Sequence, residues 1–432
     1  MSILNKLIFL TIFVSLFYSC SQAQQLPDNI NISSSANGIV PLPNSVPAVY
    51  TNNGFVKYTK LMAPNGQAIH FVAQNQITDA QMVRARNILQ FYLTNIPGSQ
   101  YGADKSAVMN KMGTNEAMLL LLNGSDNGNA PNINGQPLYQ EEMAVEGHSW
   151  YTTNDYNNHR DASFEEILHL MHDMGIGVDN NGTPSPFGAL PAYQTEIRAA
   201  QDNADNNYAI WPMSASTDPG VVNWYNELSQ ENSLSQEYLA AVIDVYYGLW
   251  GAWQGHPTRG MYDLYIAKTR DQIQTQDPMG WALLPKYFAP YININMDIDP
   301  SFSGIFLMNF DANTLYTHKS QYLQHCTLTG TNAAGLKGND LYNRLNGNAS
   351  NNTLEGGKGN DRLNGHGGTD VAIFTGAAAE YTVSNQSGLT IVTDNMSQRD
   401  GVDTLWGVET IRFSDQDVMT NIQQLPIDDA FK

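Results

Sequence analysis

Residues 338–373 write out as four units of nine: GNDLYNRLN (338–346), GNASNNTLE (347–355), GGKGNDRLN (356–364) and GHGGTDVAI (365–373). Position eight reads Leu345, Leu354, Leu363, Ala372, and position six reads Asn343, Asn352, Asp361, Asp370. The third unit satisfies the pattern G-G-x-G-x-D-x-U-x in full, where U is a large apolar residue. A flexible Gly/Asn-rich linker has no reason to keep a large apolar residue every nine positions, so the period reads as structure.

The spacing has a chemical reading. Each unit is a tight turn followed by a very short strand. Gly356, Gly357, Gly359, Gly365, Gly367 and Gly368 permit the turns and bring backbone carbonyls close together. The sixth-position oxygens of Asn343, Asn352, Asp361 and Asp370 point into the gap between stacked turns. Oxygen donors without nitrogen or sulfur select a hard cation, and a cage of carbonyls and carboxylates suits Ca²⁺. The eighth-position side chain points inward and stacks into a narrow core.

These units resemble the RTX (hemolysin-type) calcium-binding β-roll. The resemblance continues through 372–376, 381–383, 390–394, 400–409 and 411–415, which look like the β segment that follows such repeats. It implies an all-β parallel β-roll over 330–373 and a β-rich segment over 374–432. In such a roll, turns on one side are two units apart, so Asp361 is expected to face Asn343 and Asp370 to face Asn352. Two of the four units carry neutral Asn at position six, so one or two calcium sites are expected.

The whole chain has 432 residues, with 21 Lys and Arg against 41 Asp and Glu, a formal charge of −20. Such a field repels a phosphate backbone and an anionic membrane surface, which argues against nucleic-acid binding and favours divalent cations. An apolar fraction of 42% with 22 Tyr, 15 Phe and 7 Trp is enough for a real core and excludes global disorder. Residues 1–23 read as a secretory signal peptide: Lys6, then the apolar run 7–17, then Ser21-Gln22-Ala23. The expected location is extracellular. The alternative is an outer-membrane lipoprotein anchored through Cys20. Later segments are too short in apolar residues to span a bilayer. Cys326 is the second of only two cysteines, so the mature chain has no internal disulfide.

Upstream of the repeats the grammar is different. Residues 24–54 are rich in Ser, Asn and Pro and read as a linker or irregular arm. Residues 68–72 read as a strand. Ile77 to Asn95 has helical spacing, with Thr78 as N-cap and Gln81 three residues on. Residues 117–122 read as a buried strand, 163–174 as a helix stopped by Gly175, and 237–253 as a helix apolar almost all round. Strands and helices alternate irregularly, which makes 55–315 an α+β domain.

That domain holds one concentrated set of metal-type side chains, in Ser163-Phe164-Glu165-Glu166-Ile167-Leu168-His169-Leu170-Met171-His172. Glu165 and His169 are four apart and His169 and His172 three apart, so all three can share a helix face. The stretch resembles the H-E-x-x-H helix of a zincin metallopeptidase in which Glu165 stands at the first ligand position. The later stretch 237–247 resembles the helix that carries the third ligand in Glu-type zincins related to the anthrax lethal factor catalytic domain. The resemblance implies Zn²⁺ on Glu165, His169 and Glu237, with Glu166 as general base, a peptide or extracellular protein as substrate, and a zincin-like fold. His172 is an alternative ligand in place of Glu165.

The same residues have an ordinary structural reading. Ser163-x-x-Glu166 is a capping-box pattern, and Glu165 and Glu237 suit the positive end of a helix dipole. His148, His159, His256, His318 and His325 show no ligand spacing and read as structural. Two classes of function therefore stand: a secreted calcium-binding metallopeptidase or its degenerate relative, and a non-catalytic calcium-dependent surface or matrix protein on a peptidase scaffold.

Overall fold

The computed structural model describes residues 24–128, 130–145, 156, 161–180, 182–311, 313–314 and 322–420. The expected leader with Cys20 and the residues His148, His159 and His318 lie outside the described residues. The chain divides into two compact units, 1–144 with 155–290, and 145–154 with 291–432.

The first unit is built on a five-stranded sheet in the order β1-β2-β3-β4-β5. Its strands are β1 (Val40–Pro41), β2 (Phe55–Met62), β3 (Ala68–Gln74), β4 (Met118–Leu122) and β5 (Gln136–Tyr139). The first three pair antiparallel, and β3, β4 and β5 run parallel. Strand side chains alternate between faces, and in β3, β4 and β5 both faces are buried.

One face is covered by the segment expected to be a linker. Leu26, Ile30, Val40, Leu42, Val46 and Tyr50 share a core cluster with Tyr58, Val72, Met118 and Leu120. Residues 24–54 also supply β1 and the short helix α1 (Ala48–Asn52). The segment is largely irregular, yet it packs on the sheet. Its apolar residues follow no regular period, because each drops singly onto a sheet that supplies the periodicity.

Helices α2 (Asp79–Leu93), α3 (Ser106–Thr114) and α4 (Ser163–Met171) pack against the sheet. The Thr78 side chain accepts the Gln81 N–H, and the Gln81 side chain accepts the Thr78 N–H, a full capping box on α2. Helices α5 (Pro191–Asp205), α6 (Pro219–Glu231), α7 (Leu234–Tyr246), α8 (Arg270–Gln276) and α9 (Pro278–Tyr287) complete the unit. Helix α7 is buried on every side, as its all-round apolar sequence requires, and it packs on α4.

The second unit consists of two sheets, β14-β15-β16-β12-β10-β8-β6 and β18-β17-β13-β11-β9-β7. Their strands are β6 (Ile292–Ile298), β7 (Gly304–Leu307), β8 (Leu323–Leu328), β9 (Ala334–Lys337), β10 (Arg344–Asn346), β11 (Thr353–Glu355), β12 (Arg362–Asn364), β13 (Val371–Ile373), β14 (Tyr381–Gln386), β15 (Leu389–Asp394), β16 (Val402–Trp406), β17 (Thr410–Arg412) and β18 (Asp417–Met419). Alternate nonapeptides feed alternate sheets. Leu345 pairs with Leu363 in one, and Leu354 with Ala372 in the other.

These pairings stack the eighth-position residues into two apolar columns. One runs Met296, Cys326, Leu345, Leu363, Leu405, and the other Phe306, Leu336, Leu354, Ala372, Ile411. All ten are buried. Strands β6 and β7 thus continue the two sheets upstream of residue 330. The alternation in Ile292–Ile298 carries no glycine turn, so the nonapeptide pattern does not mark it. Cys326 is a free, buried thiol that fills a column position as a small apolar side chain.

Candidate metal centres

In the first unit, Glu165 and His169 on α4 and Glu237 in the first turn of α7 meet. One ligand atom from each lies within 4.8 Å of the others, the one such group among the described residues. The packing of α4 on α7 brings them together. His169 Nε2 is 3.8 Å from Glu237 Oε1, and His169 Nδ1 is 3.5 Å from Glu166 Oε2. Burial alone pulls the His169 imidazole down, but the charges of Glu237 and then Glu166 outweigh it and push the group up to about 9. The pocket's electrostatics therefore call for positive charge at this point, which a proton or a metal ion can supply.

The capping-box reading of Ser163 and Glu166 does not hold. Helix α4 has Ala162 at its N-cap, and the Ser163 N–H and hydroxyl both go to Asp161. Asp161 is in turn held by Arg84 at 2.6 Å. With its end satisfied this way, the helix leaves Glu166 for another partner. Gln136 on β5 donates its Nε2–H to Glu166 Oε2 at 2.6 Å, both residues being buried. Gln136 is a residue that the sequence pattern passed over, since only the packing of α4 on β5 reveals it.

His172 does not join the group. The chain leaves α-helical geometry for one π-turn over His172–Ile176, and His172 Nε2 lies 2.6 Å from Gln194 Oε1 on α5. Gln194 in turn donates to Asp179 at 2.7 Å and Ser235 at 3.1 Å. Burial lowers the His172 imidazole to about 4, so it is neutral. The residues whose ligand atoms converge are thus Glu165, His169 and Glu237, and His172 is not among them.

In the second unit the sixth-position side chains form two ladders with an eighteen-residue step. The Asn343 N–H donates to Asp361 Oδ1 at 2.7 Å, and the Asn352 N–H to Asp370 Oδ1 at 2.7 Å. The other oxygens, Asp361 Oδ2 and Asp370 Oδ2, are buried without a hydrogen-bond partner. Such an oxygen needs a cation or a proton. Burial pushes the Asp361 carboxyl up to about 8, with Asp400 adding repulsion, and Asp370 up to about 7, with Glu409 adding repulsion.

Glycine is required where turns stack. Gly357 and Gly359 adopt φ of 92° and 122°, and a Cβ on either would fall 2.6 Å from the carbonyl oxygens of Asn339 and Leu341 in the turn beneath. A Cβ on Gly356 would fall 2.2 Å from Asp361 Oδ2, and one on Gly365 2.4 Å from Asp370 Oδ2. Gly367 has open surroundings, and Gly368 packs on Ser350.

Residues 337–372 match the RTX calcium-binding nonapeptide repeat in four copies. The C-terminal unit thus carries RTX repeats, and these imply calcium binding. No curated protein matches the chain. Among solved structures, the chain is similar to the extracellular lipase LipA from Serratia marcescens at 10% identity and a TM-score of 0.18. The match covers 88% of this chain, and the chain spans 57% of that lipase. At that score the likeness carries no argument about fold or activity. Among the described residues no helix is long and apolar enough to cross a membrane.

Proposed function

We propose that the protein is an extracellular calcium-binding RTX protein whose first unit is a metal-dependent, metallopeptidase-like hydrolase. The observation that carries the enzymatic part is the convergence of Glu165, His169 and Glu237 within 4.8 Å, with Glu166 beside them. One imidazole and two carboxylates fit Zn²⁺, which takes nitrogen and oxygen donors and keeps an open position in catalytic sites. His169 Nε2 makes no hydrogen bond in this buried setting, as a ligating nitrogen requires.

Zinc bound here would lower the pKa of a water and polarise a peptide carbonyl. Glu165, His169 and Glu237 would hold the ion. Glu166 would take the proton, and Gln136 would fix the Glu166 carboxylate in one orientation. The zincin-like fold remains part of this reading, supported by the same helix pair.

The second reading is a non-catalytic calcium-dependent surface or matrix protein. Burial of the centre favours it, since Glu165, Glu166, His169 and Glu237 are only 2–6% exposed. The extracellular location suits the roll in either case, because extracellular oxygen-cage modules bind calcium at about 10⁻⁴–10⁻³ M. The test is zinc content of the full chain prepared without chelator, followed by hydrolysis of a peptide library. One zinc per chain with cleavage lost in Glu166→Gln supports the enzyme. Absence of zinc leaves the non-catalytic reading.

A further inference from the structure

The four nonapeptides are not equivalent, and the difference is written into positions two and six together. Units one and two carry Asn at both: Asn339 with Asn343, and Asn348 with Asn352. Units three and four carry Gly357 with Asp361, and His366 with Asp370.

In the Asn units the turn closes on itself. The Asn339 N–H donates to Asn343 Oδ1 at 2.8 Å, and Asn343 Nδ2 donates to Asn339 Oδ1 at 3.0 Å and to the Gln324 carbonyl at 3.3 Å. Asn339 Oδ1 also accepts the Leu341 N–H at 3.0 Å. Unit two repeats the scheme. The Asn348 N–H donates to Asn352 Oδ1 at 2.7 Å, and Asn352 Nδ2 donates to Asn348 Oδ1 at 3.3 Å and the Ala334 carbonyl at 3.1 Å. The amide NH₂ thus supplies the positive hydrogens that carbonyls and side-chain oxygens in this gap need. A carboxylate has no hydrogen to give.

The Asp units lack that closure, but the ladders continue past the repeats. The Asp361 N–H donates to Asp403 Oδ1 at 2.8 Å, and the Asp370 N–H to Glu409 Oε2 at 2.6 Å. Strand β16 stacks on β12 and β17 on β13 in the same register as the repeats themselves. The sequence carries the matching half-motifs: Gly401-x-Asp403-x-Leu405 mirrors Gly359-x-Asp361-x-Leu363, and Gly407-x-Glu409-x-Ile411 mirrors Gly368-x-Asp370-x-Ala372. Asp370 Oδ2 and the Gly407 carbonyl oxygen converge on one point beside Gly365, 2.4 and 2.2 Å from where its Cβ would sit. Asp361, Asp370 and Asp403 are each at most 1% exposed, and Asp361 Oδ2 and Asp370 Oδ2 have no hydrogen-bond partner.

We infer that the roll has two cation sites at its C-terminal end, one between Asp361 and Asp403 and one between Asp370 and Glu409, while units one and two are ion-free turns closed by their paired asparagines. Asp403 and Glu409 lie beyond the matched repeats at 337–372. The occupant is a hard divalent cation, because every donor is oxygen and each site pairs two carboxylates. Asn343 and Asn352 are then substitutes for the ion rather than its ligands.

This inference rests on the roll's binding calcium at all. The experiment is calcium titration of the full chain by calorimetry, comparing wild type with Asp403→Ala, Glu409→Ala and the double variant Asn343→Ala/Asn352→Ala. Asp403→Asn and Glu409→Gln provide isosteric versions if the alanine variants fail to fold. Each of the Asp403 and Glu409 changes should weaken calcium binding at one site by tenfold or more, and the asparagine double variant should keep both sites within about twofold. Calcium uptake lost in the asparagine variant and retained in the Asp403 and Glu409 variants overturns the inference. A wild-type chain that takes up no calcium overturns the calcium reading itself.

Discussion

The two candidate metal centres are assembled in opposite ways. The centre on α4 and α7 draws its donors from positions seventy residues apart, and only the packing of two helices brings Glu237 to His169. The roll draws its donors from residues stacked on neighbouring strands, Asp361 with Asp403 and Asp370 with Glu409, and the backbone ladder itself sets their spacing. The first arrangement is rigid before an ion arrives, because its scaffold is a conventional core. The second concentrates buried carboxylates at one end of a narrow stack, so its order depends on what neutralises them. Metal should therefore decide chemistry in the first unit and folding in the second.

The sharpest way to break this contrast is at the helix centre. His169→Ala should reduce zinc from one per chain to none, measured by elemental analysis, while the thermal transition of the first unit stays in place. Glu166→Gln should keep the zinc and cut hydrolysis by about 10²–10⁴-fold, because an amide cannot accept the proton. Zinc retained in His169→Ala would place the ion elsewhere. A collapse of the first unit in that variant would make the metal structural there too.

Calcium removal comes next in size. At a hundred times its Kd a ligand stabilises the folded form by about 2.7 kcal/mol. For a unit of this size that is about 5–10 °C in Tm. Hydrogen exchange on the full chain, with calcium and with chelator, reads each region separately. Protection of β10–β13, β16 and β17 should fall with chelator, and protection of β2–β4 should not. Equal protection of the roll in both conditions would erase the contrast.

Within the roll the sign of a single substitution sharpens the same point. Asp361→Asn removes a buried carboxylate whose Oδ2 has no hydrogen-bond partner. In chelator the change should raise the Tm of the roll, because the buried carboxyl must take up a proton that the unfolded chain does not hold at neutral pH, and that costs stability. In calcium it should lower the Tm, because a charged ligand is lost. Asp361→Ala should cost more in calcium than Asp370→Ala, since unit three is the complete motif. A destabilisation of equal size in both conditions would mean that Asp361 is a hydrogen-bonding residue only.

The legibility of the two regions differs for the same physical reason. In the roll, local repetition encodes local structure, so Leu345, Leu354 and Leu363 announce their own columns. The nonapeptide reading stops at Ile373, although Met296 and Phe306 upstream and Leu405 and Ile411 downstream extend those columns. In the first unit, the capping box at Thr78 and the buried helix around Tyr238 are legible because each depends on neighbours in sequence. Gln136 on Glu166 and the departure of His172 toward Gln194 depend on contacts thirty and twenty-two residues away, and no spacing rule carries them. The arm at 24–54 is hidden for a third reason, since its apolar residues have no period of their own.

The smallest expected effect concerns acid, and it falls on the first unit without any metal. His70 on β3 is 2% exposed, and its Nδ1 lies 2.8 Å from Tyr58 Oη. Burial lowers its imidazole to about 4, with Asp28 raising it and Lys60 lowering it by smaller amounts. A group whose folded pKa is depressed below its unfolded value of about 6.5 binds its proton more readily when unfolded. Its contribution is therefore fully present above pH 6.5 and is lost as the pH falls toward 4. By pH 5 the loss is about 2 kcal/mol. Exchange of the β2–β4 amides should accelerate over that range in calcium and in chelator alike. His70→Gln, which keeps a polar partner for Tyr58 and cannot take up the proton, should flatten the dependence. A dependence that persists in His70→Gln would assign the acid sensitivity to another group, and one that appears only in chelator would tie the first unit's stability to calcium.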